Sequence, residues 1–212
     1  MKAYIFDMDG TLLDSTGLWG KIDVLFLSKR GIDVPPDYAR AIAALSFNEA
    51  AEYTIERFSL QERVPDILDE WRSMAEYAYA NTISMKPHAR EYLAELKKRG
   101  AKLAVATSMT TTLCSLSLAR HGITDWFDAI CTADEVPHGK SHPDIFYLAA
   151  QKLDVPPSQC VVFEDVPQAI ISAKSAKMMV YGVYDKASEE YWDEIVRISD
   201  ETIRSFREAP LP

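Results

Sequence analysis

The sequence predicts an α/β protein: a doubly wound parallel sheet interrupted, just after its first strand, by an inserted α-helical module. Three observations predict it. Short continuous apolar runs recur along the second half of the chain and alternate with helical segments, the pattern of a parallel sheet covered on both faces. A first run of the same kind, Ala3-Tyr4-Ile5-Phe6, ends abruptly at Asp7. Between it and the others lies a stretch with helical periodicity and nothing that reads as a strand.

The inserted stretch runs from about Leu18 to Asn81 and carries three apolar stripes. Leu18, Ile22, Leu25 and Phe26 form the first, which ends at Lys29-Arg30-Gly31. Phe47, Ala51, Ile55 and Phe58 form the second; Ile67, Trp71, Met74 and Ala78 form the third. Breaks at Val34-Pro35-Pro36 and Val64-Pro65 separate the helices, so a compact helical bundle is expected. A helix from about Pro87 to Arg99 then buries Ala89, Tyr92, Leu93 and Leu96 and stops at Gly100. Strands are expected over Ala101–Ala106, Phe127–Cys131, Cys160–Phe163 and Met178–Val183. The expected division is a discontinuous α/β core, residues 1–14 and 83–212, and a helical cap, residues 15–82, placed as a lid over the carboxyl edge of the first strand.

A chain of 212 residues can bury a sizeable core as one large domain or two small ones. A net charge of −9 argues against a nucleic-acid partner, because a phosphate backbone selects a Lys/Arg surface. No apolar run approaches the roughly 20 residues that cross a bilayer, so no membrane partner is expected. Nor is a secretory leader, since the first strand-like run passes straight into acidic residues. Cys114, Cys131 and Cys160 are odd in number and form no CxxC pair, which fits packed thiols in a reducing cytoplasm. A cytoplasmic monomer is expected.

In open α/β sheets the ligand crevice lies beyond the carboxyl ends of the strands. Asp7-Met8-Asp9-Gly10-Thr11 follows the first apolar run, Thr107-Ser108 the second, and Glu164-Asp165 follows Cys160–Phe163; Gly139-Lys140-Ser141 precedes a helix beginning near Pro143. All four clusters are expected on one rim. Converging carboxylates repel one another, and oxygen-only ligands favour Mg2+ over Zn2+ as their partner. The lysine and hydroxyls are left to hold an anion, and phosphate is the anion that Mg2+ and lysine share most readily. Residues two apart in an extended segment point to the same side. Asp7 can therefore attack as nucleophile while Asp9 protonates the leaving oxygen and later takes a proton from water. Gly10 permits a tight turn at the phosphate.

Each cluster also has a plainer reading when it stands alone. Asp-Gly is a common turn, Thr107-Ser108 serves as a helix N-cap, and Glu164-Asp165 suits a helix N-terminus. Lys140 is harder to dismiss, since a cation before a helix start is misplaced unless it meets an anion. The order of the clusters and their placement at strand ends decide for a shared site.

The segments Asp7-Met8-Asp9-Gly10-Thr11-Leu12-Leu13-Asp14-Ser15, Ala106-Thr107-Ser108, Gly139 to Phe146 and Phe163-Glu164-Asp165 resemble the four motifs of the haloacid dehalogenase-like hydrolases. Within them the chain looks most like the beta-phosphoglucomutase-like phosphatases, which carry a helical cap after the first motif. The resemblance implies a Rossmann-like core, Asp7 as nucleophile and Asp9 as general acid and base. It implies Mg2+ on Asp7, the Asp9 carbonyl and Asp165, with Glu164 nearby, and phosphate held by Thr107, Ser108 and Lys140. The second acid of the first motif is missing in the dehalogenase branch; Asp9 favours phosphoryl transfer.

Three positions depart from that pattern: Val166 replaces a frequent serine, Ala169 a glycine, and Lys177 the glycine that usually ends the following helix. The last is expected to strain its turn or shift the helix end. A mutase of this group uses a histidine where Trp19 stands here, and basic cap residues where Ala43 and Phe47 stand. A phosphatase acting on a small phosphorylated metabolite is therefore expected ahead of a phosphohexomutase. A non-catalytic phospho-aspartate switch is the alternative of another class, but receivers of that kind place the accepting Asp on a later strand and lack a large helical insert. In the cap, Trp19, Phe47 and Asn48 are the candidates for substrate contact, with Tyr53 behind them.

Overall fold

The computed structural model describes residues 3–42, 45 and 47–212, and of Arg40 the backbone alone. The chain forms two compact units, one of residues 1–16 with 83–212 and one of residues 17–82.

In the larger unit, β1 (Ala3–Phe6) is wholly buried. The smaller unit follows with α1 (Leu18–Ser28), α2 (Tyr38–Ile42), α3 (Phe47–Phe58) and α4 (Val64–Asn81). The larger unit resumes with α5 (Ala89–Lys98), β2 (Lys102–Thr107), α6 (Thr111–Arg120), β3 (Ala129–Thr132), α7 (Asp144–Leu153) and β4 (Cys160–Glu164). It closes with α8 (Pro167–Ser175), β5 (Met179–Val183), α9 (Trp192–Ile198) and β6 (Glu201–Ile203).

The six strands are all parallel in the order β3-β2-β1-β4-β5-β6. The winding direction reverses at β1, so the crevice of a doubly wound sheet opens between the carboxyl ends of β1 and its neighbours. Register sharpens this: Phe6 pairs with Val105 of β2 and Phe163 of β4, which brings Asp7, Thr107 and Glu164 to one edge.

Alternation along the strands supplies both cores. Ala3, Ile5, Ala104, Ala106, Val162 and Val180 pack under α7 and α8, whose Ile145, Phe146, Ala149, Leu153, Ile170 and Ala173 form the facing stripe. On the other face Phe6 stacks on Phe163 at 5.0 Å and Phe163 on Tyr181 at 5.2 Å, with Tyr92 of α5 edge-on to Phe163 at 5.6 Å. Ala89, Tyr92, Leu93 and Leu96 are buried as the spacing predicts, and Gly100 closes the helix at φ +74°.

The smaller unit is held by Phe26 of α1 edge-on to Trp71 of α4 at 5.4 Å and by Tyr38, whose hydroxyl meets that of Thr54 at 2.7 Å. Arg30 lies over the Phe26 ring and bridges Glu62 and Glu70.

Three expectations are corrected, and one strand is new. Leu25 and Phe47, placed on buried stripes, are 55% and 41% exposed, because the apolar face of each helix is narrower than the periodicity suggests. Pro65 is no linker residue but sits in the first turn of α4, where a missing N–H costs nothing. Strand β6 was not foreseen: Glu201-Thr202-Ile203 is too short and too polar to register as an apolar run.

Candidate active site

The site is built where β1, β2 and β4 end. Asp7 leaves β1 still paired, its N–H donating to the Phe163 carbonyl at 3.1 Å. The chain then turns tightly, with Leu12 and Leu13 N–H both donating to the Met8 carbonyl and Gly10 N–H to that of Leu13. Gly10 adopts φ +79°, and a Cβ there would overlap the Asp165 carboxylate, so no other residue allows this approach. Thr107 ends β2, its hydroxyl accepting from Met109 N–H at 3.1 Å. Glu164 ends β4 and turns back to accept from the N–H groups of Asp165 and Val166 at 3.0 and 3.1 Å.

Asp7, Asp9, Thr107, Ser108, Lys140 and Glu164 line one cavity of about 390 Å³. Carboxylate oxygens of Asp7, Glu164 and Asp165 fall within 4.8 Å of one another. Lys140 reaches into this trio: its ammonium stands 2.6 Å from Asp7 Oδ1 and pairs with Glu164 as well. The whole group is nearly dry, with Glu164 fully buried, Asp165 2% and Asp7 6% exposed.

The electrostatics follow from that dryness. Burial pushes the Glu164 carboxyl up to about 7, Asp7 adding repulsion and Lys140 pulling back. Burial, then the neighbouring Glu164 and Asp7, raises Asp165 well above the usual carboxylate range. Burial works against the Lys140 charge, but Asp7 and Glu164 outweigh it and hold its pKa above the ordinary value. With all three carboxylates ionised, the one ammonium would leave the group a net charge of −2 among the described residues. An all-oxygen set with that deficit suits a divalent cation such as Mg2+.

Supporting residues that sequence reasoning missed come from the first motif itself and from later loops. Thr11 Oγ1 donates to Asp165 Oδ1 at 2.9 Å, and the Ser15 hydroxyl donates to Asp9 Oδ1. Ser188 Oγ stands 3.5 Å from Asp165 Oδ2. His138, whose Nδ1 meets Asp144 at 2.9 Å, lines the cavity with Gln168. Thr11 and Ser15 could have been suspected from their place beside the acids; nothing local marks Ser188 or His138.

The departures also take definite form. Val166 offers no side-chain cap to α8, and both it and Ala169 line the cavity. Lys177 adopts φ +63°, the left-handed conformation that a glycine accepts freely. Among the cap candidates, Trp19 and Phe47 are 44% and 41% exposed and meet edge-on at 5.4 Å. Asn48 is exposed, Tyr53 is half-buried beside Arg57, and Ala43 lies outside the described residues.

Residues 4–183 match the family described as haloacid dehalogenase-like hydrolase. The phosphorylated carbohydrates phosphatase of Thermotoga maritima is 29% identical over 184 residues, covering 86% of this chain and 85% of that protein. Hexitol phosphatase B of Escherichia coli strain K12 is 30% identical over 182 residues, covering 83% and 80%. Among solved structures, a putative beta-phosphoglucomutase from Thermotoga maritima superposes with a TM-score of 0.84 at 27% identity, covering 96% of this chain and 94% of that one.

Proposed function

Because the chain belongs to the haloacid dehalogenase-like hydrolases, we propose that it is a phosphatase of small phosphorylated metabolites that works through an aspartyl-phosphate on Asp7. The observation that carries the reading is the setting of Asp7: a carboxylate at the end of the central strand, 2.6 Å from the Lys140 ammonium, in one cavity with Thr107 and Ser108.

Lys140, Thr107 and Ser108 bind the phosphoryl oxygens and aim phosphorus at Asp7. An Asp7 oxygen attacks phosphorus, the bond to the ester oxygen breaks, and Asp9 gives that oxygen its proton. Asp9 then takes a proton from water as the water oxygen attacks phosphorus. The bond to Asp7 breaks, releasing inorganic phosphate and restoring both acids. The Ser15 hydroxyl holds Asp9 in place through both steps. Asp7, Asp165 and the Asp9 carbonyl would hold Mg2+, with Glu164 beside them; when bound, it supplies positive charge where the transferring phosphoryl group gathers negative charge.

The names of the two curated relatives support a phosphorylated sugar or sugar alcohol as the substrate class. Trp19, standing where the resemblance calls for a mutase histidine, favours hydrolysis over isomerisation. The three thiols are free and buried, as a reducing compartment allows, and among the described residues no helix is long and apolar enough to cross a membrane.

The test is phosphate release from a panel of sugar phosphates, polyol phosphates, nucleotides and an aryl phosphate, with and without Mg2+. Release that needs Mg2+ and disappears in Asp7→Asn supports the reading. Isomerised sugar phosphate without release would install the mutase in its place.

A further inference from the structure

The smaller unit contains a cavity of about 490 Å³ of its own. Trp19, Phe47 and Trp71 supply aromatic wall and Ile42 and Leu45 aliphatic wall; the one ionisable residue on the described lining is Asp23. Asp23 is 7% exposed, in line with the buried positions Leu18, Ile22 and Phe26 of α1, where helical periodicity calls for an apolar residue.

Among the described residues the Asp23 carboxylate has no hydrogen bond or ion pair, and burial alone accounts for its raised pKa, about 6. A second polar group of the same wall has no partner among the described residues either: Trp71 is 3% exposed and its Nε1 is buried without an acceptor. Buried polar groups are ordinarily satisfied, and a lone buried carboxylate is among the costliest exceptions. The rings follow one another along the wall, Trp19 edge-on to Phe47 at 5.4 Å and Phe47 tilted on Trp71 at 5.4 Å. Trp19 and Phe47 remain partly exposed and leave the cavity open to small molecules.

We propose that this cavity binds a small organic ammonium ion, its charge met by Asp23 and its apolar substituent by the Trp19–Phe47–Trp71 wall. The chemistry selects a cation over a neutral ligand. An alcohol would give the carboxylate one hydrogen bond and leave its charge uncompensated, whereas an ammonium ion supplies the counter-charge and also interacts with the aromatic faces.

The test is titration of the full chain with butylammonium and with 1-butanol, followed by calorimetry and by the indole N–H resonance of Trp71. Butylammonium is expected to bind at least about tenfold more tightly than butanol and to shift that resonance; in Asp23→Asn the preference is lost. Equal binding of the two, no binding of either, or a preference that survives Asp23→Asn overturns the proposal. The wild-type comparison decides the matter even where the variant does not fold.

Discussion

The Lys140 ammonium stands 2.6 Å from Asp7 Oδ1 and at the same time pairs with Glu164, so one cation from the loop before α7 ties together the ends of β1 and β4. Both acids are buried, and neither can keep its charge without a counter-charge. Lys140 thus belongs to the electrostatic balance of the fold as well as to the phosphate site proposed above.

Lys140→Met should cost about 3–5 kcal/mol of stability in metal-free buffer, the usual result of breaking a buried pair from one side. Mg2+ should restore part of that loss but not turnover. Urea unfolding with and without Mg2+ measures both; an unchanged midpoint would remove Lys140 from this balance.

Thr11 acts through Asp165, which accepts its hydroxyl hydrogen at 2.9 Å. Thr11→Val keeps the shape and deletes the hydrogen bond. The Mg2+ concentration for half-maximal activity should rise about 10–100-fold, while kcat at saturating metal stays near wild type. A lower kcat with unchanged metal dependence would mean that Thr11 serves something other than the metal ligands.

Lys177 is exposed and holds φ +63° just after α8. A side chain in that conformation costs roughly 1–2 kcal/mol, partly offset by the greater chain entropy a glycine loses on folding. Lys177→Gly should therefore stabilise the protein by about 0.5–1 kcal/mol without changing kcat or KM. A lower unfolding midpoint would refute the strain.

Asp23 gives a pH signature with a fixed sign. Burial raises its folded pKa to about 6, above the ordinary carboxylate value of 3.8, so the folded state holds this proton more tightly than the unfolded chain. Its contribution is most favourable below about pH 4 and is lost as pH rises through about 6. Asp23→Asn should thus gain on the order of 1–3 kcal/mol over wild type at pH 7.5 relative to pH 4. Parallel stability profiles for the two proteins would show that the carboxylate is not desolvated.

Much of this architecture was legible because the relevant signals are local. The run Ala3–Phe6 is as apolar as a strand buried on both faces must be, and the stop at Asp7 marks its carboxyl end. The stripe Ala89, Tyr92, Leu93 and Leu96 needed only helical spacing, and Lys177 was marked by the missing glycine. What stayed hidden depends on partners distant in sequence. Strand β6 exists because β5 offers it an edge, not because Glu201-Thr202-Ile203 favours a strand. The pairing of Thr11 with Asp165 spans 154 positions and no spacing announces it. No sequence signal singles out Asp23, and only the tertiary packing reveals a buried carboxylate without a partner among the described residues.

The central claim is that phosphorus becomes bonded to Asp7. Rapid acid quenching during turnover, followed by mass spectrometry of the peptide containing Asp7, tests it most directly. The account predicts a transient adduct of one phosphoryl group on Asp7 that forms and decays at rates consistent with kcat, and that is absent from an inactive Asp7→Asn. Turnover that persists in Asp7→Asn, with no adduct on the wild-type peptide, would contradict it.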